Sequence, residues 1–152
     1  MLNRAQHIEI LEIAIAREVE SIKLYLALAE YFVTKDISKI FVDTANEEMK
    51  HKNDLELEVM KFGSVIETEN DFSNVSIEDS DVLGELLLPE ADYKNFLLLA
   101  VKKEDAAFRF YVDLLSSIKD QQSREIIYEL AQEEVRHKLR FEIEYQMQSK
   151  EN

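Results

Sequence analysis

The chain contains no cysteine and no tryptophan, and only two glycines and one proline occur among its 152 residues. Without cysteine, these residues cannot form a disulfide, an iron–sulfur cluster, a cysteine-ligated zinc site or a thiol nucleophile. The shortage of glycine and proline disfavours a turn-rich β-sandwich, and the 46% hydrophobic residues disfavour a disordered chain. The composition therefore favours helices, and the length suits a single domain over residues 1–152.

Long apolar runs and an excess of positive charge are also missing. No apolar run approaches the ~20 residues of a membrane-spanning helix, and the N-terminal residues do not lead into a signal-peptide core. With 32 acidic against 18 basic residues, the formal net charge is −14, which repels a nucleic-acid backbone. We therefore expect a cytoplasmic protein that binds neither membranes nor nucleic acid.

Apolar residues recur at intervals of three and four along most of the chain, which is the period of an amphipathic helix. They predict one helix over roughly residues 5–33 and another over roughly 37–62, with Gly63 placed to cap the second. These two helices form a first hairpin over about 5–62. The same period predicts two further helices that form a second hairpin over about 90–149.

The polar stretch between the hairpins, about 63–89, lacks a sustained helical period. A helix of about 27 residues is ~40 Å long, and about twelve extended residues cover that distance. The connector is therefore long enough to cross the whole bundle. This topology predicts an all-α, ferritin-like four-helix bundle, made of two helical hairpins joined by one long crossover.

The two predicted hairpins repeat one another in sequence. Each contains two glutamates and one histidine, and the second set follows the first by 86 positions throughout: Glu18, Glu48 and His51, then Glu104, Glu134 and His137. Apolar and polar neighbours match at the same offset, which amphipathicity alone does not require. The repeat therefore singles out these six residues.

In each hairpin the histidine follows the second glutamate by three residues, so both side chains lie on one helix face. The glutamates interrupt apolar stripes, as Glu18 does between Ile15 and Ile22. All four carboxylates should therefore point inward, where unpaired negative charges repel one another and raise their pKa values. Two divalent cations bound between the carboxylates would neutralise these four negative charges. The alternative is a structural network of satisfied polar groups.

Such a set, with Glu from two helices and Glu-x-x-His from the other two, is typical of di-iron and di-manganese carboxylate proteins. Carboxylate and imidazole ligands suit iron or manganese, and the absence of thiolates argues against soft metals. We expect two iron ions, with manganese or a mixed-metal pair as the alternative.

The segments around the six residues resemble the di-iron domain of the rubrerythrin family, and the resemblance covers residues 8–62 and 94–148. It is carried by Ala16-Arg17-Glu18 through Tyr25, by Thr44 through His51, by Glu104 through Tyr111, and by Leu130 through His137. The resemblance implies that two residues bridge the metals and four are terminal ligands: Glu48 and Glu134 bridge, and Glu18 with His51 and Glu104 with His137 are terminal. It also implies peroxide reduction in oxidative-stress defence, and a homodimer.

Two departures from the family pattern bear on the reaction. Rubrerythrins carry a rubredoxin-like domain with four cysteines, so electrons for this protein would come from a separate, rubredoxin-like donor. Typical members also carry a further Glu one turn after the third-helix ligand, where this sequence has Ala107, with Ser21 at the equivalent place in the first helix. That carboxylate is linked in the family to redox-dependent movement of one iron.

Three functions remain open: a peroxide reductase fed by an external donor, a ferroxidase or iron-handling protein, and a metal-stabilised, non-catalytic bundle that binds a partner. Tyr25 and Tyr111 lie two turns after Glu18 and Glu104, so each hydroxyl could bond a ligand carboxylate, with plain core packing as the alternative. We expect His7, near a helix start, to be solvent-exposed or to cap that helix.

Overall fold

The computed structural model describes residues 2–32, 35–66, 72 and 93–150, except the side chains of Lys35 and Lys150. These residues form four α-helices and no strand: α1 (Arg4–Tyr31), α2 (Lys35–Lys61), α3 (Tyr93–Leu115) and α4 (Gln121–Lys150). The four predicted helices are confirmed, and the ends predicted for the first two differ by one or two residues. The predicted connector at 63–89 lies mostly outside the described residues.

Hairpin 1 consists of α1 packed against α2. The start of α1 is a capping box, in which Asn3 Oδ1 accepts from the Gln6 backbone N–H and Gln6 Oε1 accepts from the Asn3 N–H, both at 2.9 Å. The prediction for His7 is wrong, because Asn3 is the cap and the half-buried His7 ring stacks on Phe62 with the ring centroids 5.1 Å apart.

Gly63 ends α2, as predicted. Its φ of 81° lies in the left-handed region that residues with a Cβ rarely adopt. The Gly63 N–H donates to the Met60 carbonyl at 2.9 Å, and the Ser64 N–H donates to the Val59 carbonyl at 3.3 Å. This pair of bonds is a Schellman motif, which satisfies carbonyls that the helix end otherwise leaves without partners.

Hairpin 2 consists of α3 packed against α4. Asp120 caps α4, because its Oδ2 accepts from the Ser123 backbone N–H at 2.9 Å. Arg124, in the first turn of α4, donates from Nη1 to the carbonyl of Leu115 and, at 2.8 Å, to that of Ile118. These bonds hold the turn that joins the two helices.

Each hairpin has its own buried face. In hairpin 1 the core side chains include Leu11, Ile15, Ile22, Leu28, Phe41, Leu55 and Val59. In hairpin 2 they include Phe96, Leu97, Leu114, Ile127, Leu130 and Phe141. Among the described residues, no helix combines the length with the hydrophobicity that a bilayer-spanning segment needs.

Candidate metal centre

Hairpin 1 buries three of the six predicted ligands side by side. Glu18 on α1 and Glu48 and His51 on α2 are each at most 3% exposed. One ligand atom from each residue lies within 4.8 Å of the others. His51 Nδ1 is 3.7 Å from Glu18 Oε1 and 3.8 Å from Glu48 Oε2. The three side chains therefore converge on one place inside the hairpin.

Hairpin 2 repeats this arrangement with the other three predicted ligands. Glu104 on α3 and Glu134 and His137 on α4 are each at most 2% exposed. Their ligand atoms also lie within 4.8 Å of one another. His137 Nδ1 is 3.5 Å from Glu104 Oε2 and 3.7 Å from Glu134 Oε1. The sequence repeat is therefore a repeat of side-chain geometry.

Small residues make room for the carboxylates. Each glutamate follows a buried alanine by three or four positions, so the alanine lies one turn away on the same face: Ala14, Ala45, Ala100 and Ala131. A methyl side chain at these places leaves space that a larger core residue would fill. The local sequence thus places a small side chain one turn from each glutamate on an apolar helix face.

Burial changes the acidity of Glu18. Loss of water around the side chain raises the pKa of Glu18 well above its ordinary value, and the negative charge of Glu48 raises it further. Contact with His51 acts in the opposite direction and is the weaker influence. Without a cation, hairpin 1 therefore favours a protonated Glu18 over two adjacent buried carboxylates.

The spacing of the ligand atoms fits a metal ion better than direct hydrogen bonds. The four separations between histidine Nδ1 and glutamate oxygen range from 3.5 to 3.8 Å. An ordinary N–H···O hydrogen bond is roughly 2.7–3.2 Å long. Two atoms about 2.1 Å from one ion, at an angle of about 110°, lie roughly 3.4 Å apart. The donor set of carboxylate oxygens and imidazole nitrogens also suits iron or manganese.

Tyr25 and Tyr111 are buried in the two cores, at 0% and 1% exposure. The Tyr25 ring stacks near Phe41, with the centroids 6.3 Å apart, and Tyr111 contacts Phe110 edge-on at 5.4 Å. Both tyrosines therefore pack in the core. A bond from either hydroxyl to a ligand carboxylate stays a prediction.

Two further buried charges, Lys52 and Glu58, were not singled out from the sequence. Lys52 is 2% exposed and Glu58 is 1% exposed. Lys52 Nζ lies 2.6 Å from Glu56 Oε1, and Lys61 Nζ lies 2.6 Å from Glu58 Oε1. The spacings of four and three residues indicate these ion pairs, because such residues are neighbours on a helix, but they do not indicate that Lys52 and Glu58 are buried.

Comparisons with known proteins agree with this fold and site. The family model for rubrerythrin matches residues 9–145. No curated protein matches the chain.

Two solved structures are similar in fold. A two-domain protein from Anabaena variabilis, with DJ-1/ThiJ/PfpI-like and ferritin-like domains, is 14% identical with a TM-score of 0.79, covering 97% of this chain and 41% of that protein. This chain thus spans about two fifths of that protein's length. A hypothetical protein from Pyrococcus furiosus is 20% identical with a TM-score of 0.71, covering 93% of this chain and 89% of that one. The predicted all-α, ferritin-like fold is confirmed.

Proposed function

The chain belongs to the rubrerythrin family, and from that premise we propose that it is a di-iron oxidoreductase that reduces hydrogen peroxide. The observation that carries the proposal is the buried set of two glutamates and one histidine in each hairpin. Buried carboxylates without compensating charge destabilise a fold, whereas the same carboxylates around divalent ions are neutralised. The site is therefore built for cations.

Six residues hold the metal in this proposal: Glu18, Glu48, His51, Glu104, Glu134 and His137. By likeness to the family, Glu48 and Glu134 would be shared by the two ions, and the remaining residues would supply terminal ligands. Four carboxylates balance the charge of two Fe(II) ions, so the loaded site is neutral. Metal binding also requires Glu18 to give up the proton that burial favours in the metal-free state.

The reaction is a two-electron reduction. When bound, two Fe(II) ions would supply the two electrons that, with two protons, reduce one hydrogen peroxide to two water molecules. The chain's own residues would hold the ions and keep bulk water away, since each ligand residue is at most 3% exposed. We place the reaction in defence against oxidative stress in the cytoplasm.

The electrons that restore the ferrous state come from another protein in this proposal. None of the 152 residues is cysteine, so none of them can form the four-cysteine iron site of a rubredoxin-like donor. A separate rubredoxin-like protein is the donor that fits the family pattern.

A second candidate function, ferroxidase or iron-handling activity, is favoured by one local departure. Ala107 lies one turn after Glu104 on α3, and Ser21 lies one turn after Glu18 on α1. Both residues are partly buried and neither offers a carboxylate. In this alternative, iron is the substrate of the site, and the chain assembles into a large oligomer.

Peroxide turnover tests the first function against the second. Protein loaded with Fe(II) under anaerobic conditions should consume peroxide when an artificial electron donor is present. Ala107→Glu places a carboxylate within reach of the ligands of hairpin 2 and should raise turnover, whereas the matched control Ser21→Glu need not.

Equal rates in wild type and Ala107→Glu, both at the level of free Fe(II), would reject peroxide reduction. Iron uptake by a large oligomer, measured by size-exclusion chromatography with iron analysis, would support the second function. A metal that stabilises the fold yet reacts with neither peroxide nor oxygen would support a non-catalytic bundle that binds a partner.

A further inference from the structure

Two ion pairs converge on Asp105, the residue that follows the proposed ligand Glu104 on α3. Asp105 Oδ1 accepts from Lys138 Nζ of α4 at 2.9 Å, and Asp105 Oδ2 accepts from Arg109 Nε at 2.8 Å. Lys138 in turn follows the proposed ligand His137. The side chains of Asp105 and Lys138 are 29% and 32% exposed, so most of each is shielded from water. The Asp105–Lys138 bridge therefore joins α3 to α4 directly beside the ligands of hairpin 2.

The bridge and the contact between two ligands span the same pair of helices. Asp105 and Lys138 are 33 positions apart, as are Glu104 and His137. The Oε2 atom of Glu104 and the Nδ1 atom of His137 lie 3.5 Å apart. Each bridge residue is one position, or about 1.5 Å along the helix axis, from a ligand. A shift of α3 against α4 that separates the two ligands therefore also breaks the bridge, so the bridge resists that movement.

The repeated fold does not require this bridge. At the offset of 86 positions, Asp105 corresponds to Val19, whose side chain has no acceptor, and Lys138 corresponds to Lys52. Lys52 pairs with Glu56 on its own helix, with 2.6 Å between Nζ and Oε1. The carboxylate at position 105 therefore adds a link between two helices that the equivalent residue of hairpin 1 cannot supply.

A partly exposed ion pair of this kind has more to offer a binding site than the fold as a whole. Ion pairs in contact with water contribute little to the free energy of unfolding. Ligands, by contrast, bind an ion tightly only when they are already held close to the geometry of the bound state. A bridge one residue away from two ligands on different helices therefore acts mainly on metal affinity.

We propose that Asp105 is a positioning residue, which through its bridge to Lys138 holds Glu104 and His137 in place for a metal ion. This role rests on the proposed function, because it acts on two of the six proposed ligands. Asp105 is not itself a ligand, since each of its oxygens already accepts from a charged donor. The charges of Asp105 and Lys138 cancel, so the bridge leaves the charge balance between the ions and their carboxylates unchanged.

Binding of Co(II) by the full chain tests this role without relying on catalysis. Co(II) accepts the same oxygen and nitrogen ligands as Fe(II), and its visible absorption bands report the geometry of those ligands. Asp105→Asn and Lys138→Gln should each weaken the binding of one of two Co(II) ions roughly 10-fold, the lower end of the effect of residues that orient metal ligands. Both variants should also alter the absorption bands. Lys138→Arg, which keeps a charged donor, should retain most of the affinity.

The two neutral variants separate positioning from simple electrostatic attraction. Asp105→Asn removes a negative charge and Lys138→Gln removes a positive one, so attraction of a cation alone would decrease in the first variant and increase in the second. Positioning predicts weaker binding in both. Lys39→Gln and Asp43→Asn are the matched controls, because Lys39 and Asp43 form an exposed ion pair of 2.7 Å on α2. Neither control should change the affinity for Co(II).

Two ligand variants locate the effect within the site. His51→Ala leaves the three ligands of hairpin 2 intact, and His137→Ala leaves those of hairpin 1 intact. In the His51→Ala background, Asp105→Asn should weaken binding of the remaining ion roughly 10-fold, whereas in the His137→Ala background it should have little effect. An equal effect in both backgrounds would overturn the proposal, as would Lys138→Gln protein that binds Co(II) as tightly as wild type.

Far-UV circular dichroism and thermal unfolding of the metal-free proteins complete the test. Asp105→Asn and Lys138→Gln should keep their helix content and melt close to the two controls. A loss of affinity that accompanies a loss of helix content would show a structural role instead. Two bound ions with unchanged affinities in both variants would reject the role of Asp105 and leave the metal site standing. Absence of Co(II) binding in wild type would reject the metal site, the proposed function and this role together.

Discussion

The two hairpins agree on their inner faces and differ on their outer faces. The histidine–glutamate separations are 3.7 and 3.8 Å in hairpin 1 and 3.5 and 3.7 Å in hairpin 2. On the outer surface, Asn53 of α2 corresponds to Leu139 of α4. A repeat that keeps these buried glutamates and histidines while its surface diverges indicates that they share one task.

Charges close to the ligands also differ between the hairpins. In hairpin 2, Lys138 on α4 reaches across to Asp105 on α3, with 2.9 Å between Nζ and Oδ1. The counterpart of Asp105 in hairpin 1 is Val19, and the counterpart of Lys138 is Lys52, which pairs with Glu56 on its own helix. The six proposed ligands keep both their identity and their geometry across the repeat, whereas these neighbouring charges do not.

Removal of metal should have the largest effect and should act on both hairpins. Each ion present at 1,000 times its dissociation constant adds about 4 kcal/mol to the free energy of unfolding. Chelation should therefore lower the melting temperature sharply and reduce amide-exchange protection in α1 and α2 as much as in α3 and α4. An unchanged melting temperature, or a loss of protection confined to one hairpin, would contradict the claim that both hairpins contribute equally to metal binding.

Core truncations at matched positions should come next in size. Phe141 and its counterpart Leu55 are both 0% exposed. Phe141→Ala should lower the free energy of unfolding by about 3–5 kcal/mol and Leu55→Ala by about 2–5 kcal/mol, because each leaves a cavity. Urea denaturation measures both. Leu98→Ala, at a residue that is 41% exposed, is the control and should cost far less. A small loss in only one of the core variants would show that its hairpin is loosely packed.

One carboxylate in each hairpin should make stability depend on pH, and the two should act in opposite directions. Glu18 in hairpin 1 should favour folding at low pH, and Asp105 in hairpin 2 should favour it at higher pH. Burial, followed by the charge of Glu48, raises the pKa of Glu18 above its ordinary 4.5. In the metal-free state, folded Glu18 therefore holds a proton that the unfolded chain has lost. Its contribution to stability decreases as pH rises above about 4.5, by at most ~1.4 kcal/mol per pH unit.

Hydrogen bonds from Lys138 and then Arg109 lower the pKa of Asp105 below its ordinary 3.8. Its contribution is present above that value and is lost as pH falls through the lowered pKa. Denaturation of the metal-free protein across this pH range gives its free energy of unfolding as a function of pH. Glu18→Gln should make this curve flatter toward neutral pH, and Asp105→Asn should make it flatter at acid pH. Metal loading should reverse the Glu18 trend, because ligand carboxylates must be deprotonated. An unchanged slope in Glu18→Gln would contradict the assigned cause.

Helix caps should give the smallest effects. Asn3 caps α1 in hairpin 1 and Asp120 caps α4 in hairpin 2. Replacing either residue by alanine should cost about 1 kcal/mol, whereas Asn3→Gly should cost only a few tenths. Thermal unfolding of the four proteins, including wild type, resolves these differences. No loss in Asn3→Ala relative to wild type would show that the capping bond contributes little.

Much of the fold and the inner faces could be predicted because their signals are local or repeat at a constant offset. Periodicity located the first two helices to within two residues, and Gly63 marked the end of α2 because its backbone angle excludes most other residues. The inward position of Glu18 followed from its place within an apolar stripe.

Features that depend on packing between distant residues could not be predicted. His7 stacks on Phe62, which lies 55 positions away, and no local pattern indicates that contact. The burial of Lys52 and Glu58 depends on how neighbouring helices cover them, whereas their charge suggested a surface position.

The iron content of three proteins tests the central claim most directly. After anaerobic loading with Fe(II) and removal of free metal, wild type should contain two ions per chain. His51→Ala and His137→Ala should each lose about one ion, and to the same extent, because each histidine is proposed as a terminal ligand of a different ion. Clearly fewer than two ions in wild type, or a histidine variant that retains both, would contradict a di-iron site supplied equally by the two hairpins.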